Sequence, residues 1–143
     1  MSTGLDFLTT LVRYETYLWN DLDARLRAAG HVALPTLFTL DVVDRYDGRC
    51  RVLEIRQDIG ITVGAASKLV DRLEADGLVV RTPNPRDRRS SLVLLTPRGL
   101  EAHTEGRATL SKLLDEHLAG EPRLAQTTAS LNRLLDRLTL VDE

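Results

Sequence analysis

A mainly α fold carrying one short β-hairpin (α+β) is what the patterning of this 143-residue chain predicts. Three observations support it. Both flanks of the chain repeat apolar residues at helical spacing. At its centre, Val52 to Ile59 and Ile61 to Asp76 read as two short helices broken at Gly60, a helix-turn-helix pattern. Beyond them, Leu78 to Thr82 and Leu92 to Leu95 are apolar and β-branched runs joined by residues 83–91, PNPRDRRSS. That is a hairpin with an arginine-rich tip, so the architecture predicted is a winged helix-turn-helix.

The first helix is expected over residues 5–29, where Leu5, Leu8, Leu11, Val12, Leu18, Leu22 and Leu26 recur at helical spacing and Gly30 follows. Leu34-Pro35 opens a second helix, proline being well placed in a first turn, and Leu37, Phe38, Leu40, Val42 and Val43 carry it to a Tyr46-Asp47-Gly48 turn. Residues 49–51 suit a minimal strand beside the wing. In the next helix Ile55 and Ile59 face inward together with Leu53 or Val52.

The helix from Ile61 to Asp76 has unusually clear ends, with Thr62 as N-cap and Gly77 as C′ stop. Ala66, Leu69, Val70 and Leu73 make its buried stripe. Gly64, Ala65, Lys68, Asp71 and Arg72 lie opposite, small at the front and basic further back. Such a helix can press its front end into a groove.

After the hairpin, Thr96 and Pro97 suit the N-cap and first position of a long helix running to Ala119, where Gly120 interrupts. Pro122 is expected to start the last helix. Its Leu124, Leu131 and Leu138 recur every seven residues with Leu134 and Leu135 beside them, a leucine seam that calls for a partner chain.

From Ile61 through Glu74, then Gly77-Leu78-Val79, Asp87-Arg88-Arg89 and Leu95-Thr96, the chain resembles the MarR family of bacterial winged helix-turn-helix transcriptional regulators. The likeness covers roughly residues 49–100. Arg56 stands where the family usually has a small residue, and Val63 where proline is common. The resemblance implies one domain over 1–143, with residues 1–30 and 97–143 as dimerisation helices and 31–96 as the DNA-binding lobe. It also implies a homodimer whose first and last helices intertwine.

Charge agrees with that division. The net charge is −2 overall. Residues 49–98 nevertheless carry ten Arg/Lys against six Asp/Glu, and the remainder nine against fifteen, so the putting-together of +4 and −6 concentrates cations on the helix-turn-helix and hairpin.

The function expected is a sequence-specific DNA-binding transcriptional regulator, a homodimeric repressor of a palindromic operator on double-stranded DNA. Thr62, Gly64, Ala65 and Lys68 are expected nearest base edges, as they lie at the helix front on the exposed face, Gly64 and Ala65 acting through absence of bulk. Ser67, Lys68 and Arg72 would hold phosphates. The resemblance assigns Arg89 to the minor groove, with Asp87 buttressing the arginines and Arg86 and Arg88 on phosphates. The alternative is a winged-helix adaptor for protein interaction without specific DNA binding; strong salt dependence on duplex DNA separates the two.

Related regulators commonly release DNA when a small phenolic or aromatic effector binds, and Arg13, Tyr14, Tyr17, Trp19 and His31 are the candidates for such a pocket. His31, His103 and His117 are too scattered to share a metal, and no cofactor is expected. Cys50 cannot form an internal disulfide; Arg49 and Arg51 beside it could lower its pKa, although an inert thiol is the simpler reading. No phosphate-cradling glycine loop, nucleophile elbow or metal-ligand spacing suggests an enzyme. Neither a membrane span nor a signal peptide is evident, so a cytoplasmic protein is expected.

Overall fold

The computed structural model describes residues 2–139 and contains six helices and three strands among them. The helices are α1 (Thr3–Ala28), α2 (Leu34–Arg45), α3 (Val52–Ile59), α4 (Val63–Ala75), α5 (Pro97–Leu118) and α6 (Leu124–Thr139); the strands are β1 (Cys50–Arg51), β2 (Val79–Pro83) and β3 (Ser91–Leu95). The fold is mainly helical with a small antiparallel wing. The chain divides into two compact units, Met1–Leu110 and Ser111–Glu143.

In the first unit the sheet runs β1-β3-β2, with Cys50 opposite Val93 and Arg81 opposite the same Val93 from the other side. The core lies between α2, α3, α4 and this sheet, and Leu40, Ile55, Ala66, Val70, Leu73, Val79 and Val93 are buried there. Val52, rather than Leu53, turns toward it; Leu53 stays exposed. The periodicity of α3 left that choice open, and packing on the sheet decides it.

Local chemistry explains the boundaries. Ser2 caps α1 by accepting a hydrogen bond from the Leu5 N–H at 3.2 Å. Gly60 ends α3 at φ +77°, a left-handed conformation that glycine adopts without a Cβ clash. Thr96 ties two elements together: its hydroxyl donates to the Gly77 carbonyl at 2.6 Å and accepts from the Gly99 N–H at 3.0 Å. The start of α5 packs so tightly that a Cβ on Gly99 would lie 1.9 Å from the Leu78 carbonyl oxygen. Further along, His103 is buried on α5 and bonds Asp41 of α2 through Nε2 at 2.9 Å.

In the second unit α6 begins at Leu124, two residues later than the proline at position 122 suggests, because residues 122 and 123 form a turn. No residue of α6 is buried, and Leu134, Leu135 and Leu138 are exposed.

Candidate nucleic-acid interface

Helix α4 and the wing are positioned by separate devices, then joined by one side chain. Thr62 caps α4 by accepting from the Ala65 N–H at 3.2 Å. The cap leaves the front of the helix compact. Ala66, Val70 and Leu73 anchor its inner face, so Gly64, Ala65, Lys68, Asp71 and Arg72 are turned outward, and a Cβ on Gly64 would meet no atom within 4 Å. Ser67 is half-buried at the edge of that face, and its carbonyl accepts from Arg81 Nη2 at 3.3 Å.

The wing loop is built on Asn84 and Asp87. Asn84, only 9% exposed, donates from Nδ2 to the Ser90 hydroxyl at 3.0 Å and accepts from the Arg86 N–H at 3.0 Å. Asp87 accepts from the Arg89 N–H at 3.0 Å, and its carbonyl accepts from the Ser90 N–H at 3.2 Å. The Asp87 carboxylate thus meets the Arg89 backbone rather than a guanidinium. A short carboxylate bonding two residues ahead is an Asx turn, which closes a loop without using a long side chain. Arg86, Arg88 and Arg89 are exposed, and none of their guanidiniums pairs with a carboxylate among the described residues.

Arg81 links helix to wing. Its Nη1 lies 2.7 Å from Asp71 and 3.4 Å from Glu74, and its own N–H donates to Glu74 at 2.8 Å. Neither Arg81 nor Asn84 was foreseen as a site residue. Only the Arg81 position, two residues into a strand directly after a helix rich in acids, could have hinted at its partners.

At the base of the wing, Arg51 and Glu54 form a capping box at the start of α3. Burial pushes the Glu54 carboxyl up, but the hydrogen bonds from the Arg51 side chain and backbone outweigh it and hold the group below its usual range. Cys50 is fully buried, and burial, with the nearby Glu54 and Asp58 charges, raises its thiol to about 12. The neighbouring arginines do not activate it: Arg51 is spent on Glu54 and Arg49 turns to the Tyr46 carbonyl. Arg56 lies within α3 with its Nε enclosed and unbonded among the described residues.

The aromatic candidates differ in their surroundings. Trp19 stacks on Phe38 with ring centroids 5.3 Å apart, and His31 bonds the Thr109 hydroxyl at 2.8 Å. Arg13, Tyr14 and Tyr17 are exposed on α1. At 1.5 Å rise per residue, Tyr14 lies about 20 Å before the helix end that leads to His31. No group of three or more His, Cys, Asp or Glu among the described residues is placed to hold a metal ion, and none of the described helices is long and apolar enough to cross a membrane.

The MarR family matches residues 32–90, the stretch from the turn before α2 to the wing. Over 90 residues the chain is 31% identical to the multiple antibiotic resistance protein MarR of Salmonella typhimurium, covering 60% of this chain and 59% of that protein. It thus spans less than two thirds of the curated relatives it matches. Among solved structures, the transcriptional regulator BldR from Sulfolobus solfataricus superposes with a TM-score of 0.85 at 24% identity, covering 96% of this chain and 99% of that one. MepR of S. aureus, solved as a DNA complex, superposes at 0.76 with 19% identity, covering 96% and 99%. At these identities the structures show the fold.

Proposed function

The chain matches the MarR family in sequence and carries the winged helix-turn-helix fold, and from that premise we propose that it is a DNA-binding transcriptional regulator acting as a homodimeric repressor on a palindromic operator. The observation that carries the reading is the joint surface of α4 and the wing. An unobstructed, small-residue helix front stands with three guanidiniums that pair with no carboxylate among the described residues, and Arg81 ties α4 to the wing strand. Thr62, Gly64, Ala65 and Lys68 face base edges in the major groove; Ser67 and Arg72 flank them at the backbone. Arg89 enters the minor groove, where narrow A·T-rich segments concentrate negative potential, and Arg86 and Arg88 hold phosphates. Asp87 shapes the tip.

A second copy of the chain would cover exposed apolar side chains on α1, namely Leu5, Leu8 and Val12, and on α6, namely Leu134, Leu135 and Leu138. Residues 1–30 and 97–143 then serve as the dimerisation region, and two lobes one helical turn apart read an inverted repeat. A phenolic or aromatic effector would meet the exposed Arg13, Tyr14 and Tyr17 on α1.

Selection of duplexes from a random pool, followed by titration of the enriched site against salt, tests this. An inverted repeat bound by two chains, with a log K slope of several units against log salt, is the expected result. Absence of enrichment and of salt dependence overturns it and leaves a protein-interaction module.

A further inference from the structure

A groove on the side of the first unit has no part in the DNA-reading surface. It is about 500 Å³, within the range of pockets that hold drug-sized molecules. Three elements build it: the end of α2 with the turn after it, strand β3, and the first turn of α5. Val43, Leu94, Pro97 and Leu100 supply its apolar lining, and Asp44 and Asp47 stand on its rim.

The rim is one-signed. Asp47 forms no ion pair among the described residues, and the basic group nearest Asp44 is the His103 imidazole, with Nδ1 at 4.0 Å. Of the arginines nearest in sequence, Arg45 is turned to Asp41 and Asp58, and the Arg49 Nε donates to the Tyr46 carbonyl at 3.4 Å. Asp47 is held in place by its backbone, which takes a left-handed φ of +47° while its N–H donates to the Asp44 carbonyl at 3.1 Å. Two carboxylates beside an apolar lining complement a molecule with one positive charge and a bulky hydrocarbon body.

We propose that this groove is a binding site for lipophilic cations. Desolvation of the body against Leu94, Pro97 and Leu100 supplies affinity, and the two carboxylates select the sign of charge. The proposal is independent of the DNA reading, since no residue of the groove belongs to α4 or to the wing tip.

Calorimetric titration of the full chain with tetraphenylphosphonium, and separately with tetraphenylborate, tests it. The two ions share a shape and differ in sign. Saturable binding of the phosphonium, tighter than that of the borate, is expected. Asp47→Asn keeps a residue that tolerates left-handed φ, and Asp44→Asn is exposed; each should weaken the phosphonium about two- to fivefold without weakening the borate. Three results overturn the proposal. They are no phosphonium binding, as when a second copy covers the groove; equal binding of both ions; or phosphonium binding that neither substitution changes.

Discussion

Arg81 on β2 reaches Asp71 on α4 at 2.7 Å, so the strand that enters the wing is ion-paired to the flank of that helix. Glu74 receives the Arg81 N–H at 2.8 Å and the Ser67 carbonyl takes a second guanidinium nitrogen at 3.3 Å. One planar side chain thus meets three acceptors, a geometry that a lysine ammonium cannot reproduce.

Replacing Arg81 should therefore loosen the spacing of wing and helix while removing no contact to DNA. Arg81→Ala and Arg81→Lys are both expected to lower operator affinity by about tenfold or less, with the salt slope unchanged because no phosphate contact is lost. Fluorescence anisotropy at several salt concentrations reads both quantities. A slope reduced by about one unit would place Arg81 on a phosphate instead.

At the wing tip, Arg89→Ala should cost about 1–3 kcal/mol of specific binding and relax preference at the outer A·T positions. Arg86→Ala and Arg88→Ala should weaken all sequences about equally and lower the salt slope by roughly one unit each. Wild-type binding by Arg89→Ala at about 0.15 M salt would refute the minor-groove assignment.

Because the Asp87 carboxylate accepts a backbone N–H, its charge is secondary to its shape. Asp87→Asn keeps the acceptor and should bind the operator as well as wild type, or better for the loss of a negative charge. Asp87→Ala opens the turn and should weaken binding. Asn84→Ala removes bonds on both sides of the loop and should act in the same direction. Equal loss by Asp87→Asn and Asp87→Ala would instead assign the role to the charge.

Close packing of α5 makes Gly99 intolerant of any side chain. Gly99→Ala places a methyl against the immobile Leu78 backbone, and a loss of at least about 3 kcal/mol, the upper end for overpacking, is expected in thermal or denaturant melts. Gly106→Ala meets only the far end of Leu37, 3.0 Å away, and should cost less. The reverse order would be inconsistent with the packing described.

Cys50 supplies a pH prediction. Its folded thiol is raised from an ordinary 9.0 to about 12, so the native state keeps the proton that the unfolded chain releases. Stability from this group is complete below pH 9.0 and declines as pH rises toward 12. Cys50→Ala or Cys50→Val should flatten that alkaline decline. At neutral pH the folded chain should not react with a thiol reagent until denaturant exposes Cys50, whereas rapid native-state reaction would contradict its burial.

The signals legible in the order of residues are local. Helical periodicity, Thr62 as N-cap, Gly60 and Gly77 as stops, and the charged connection between two short apolar runs are encoded within a turn or two of each residue, so helices, strands and the outward face of α4 could be read directly. Tertiary structure decided everything that depends on which distant residues meet. It chose Val52 over Leu53 for the core, sent Trp19 to Phe38 and His31 to Thr109, and joined Arg81 to an acidic pair seven and ten residues earlier. A periodicity states which face a side chain occupies, but not what lies opposite. That partner is set by how strands register and helices pack, and the long polar side chains then settle on whichever acceptors packing has brought within reach.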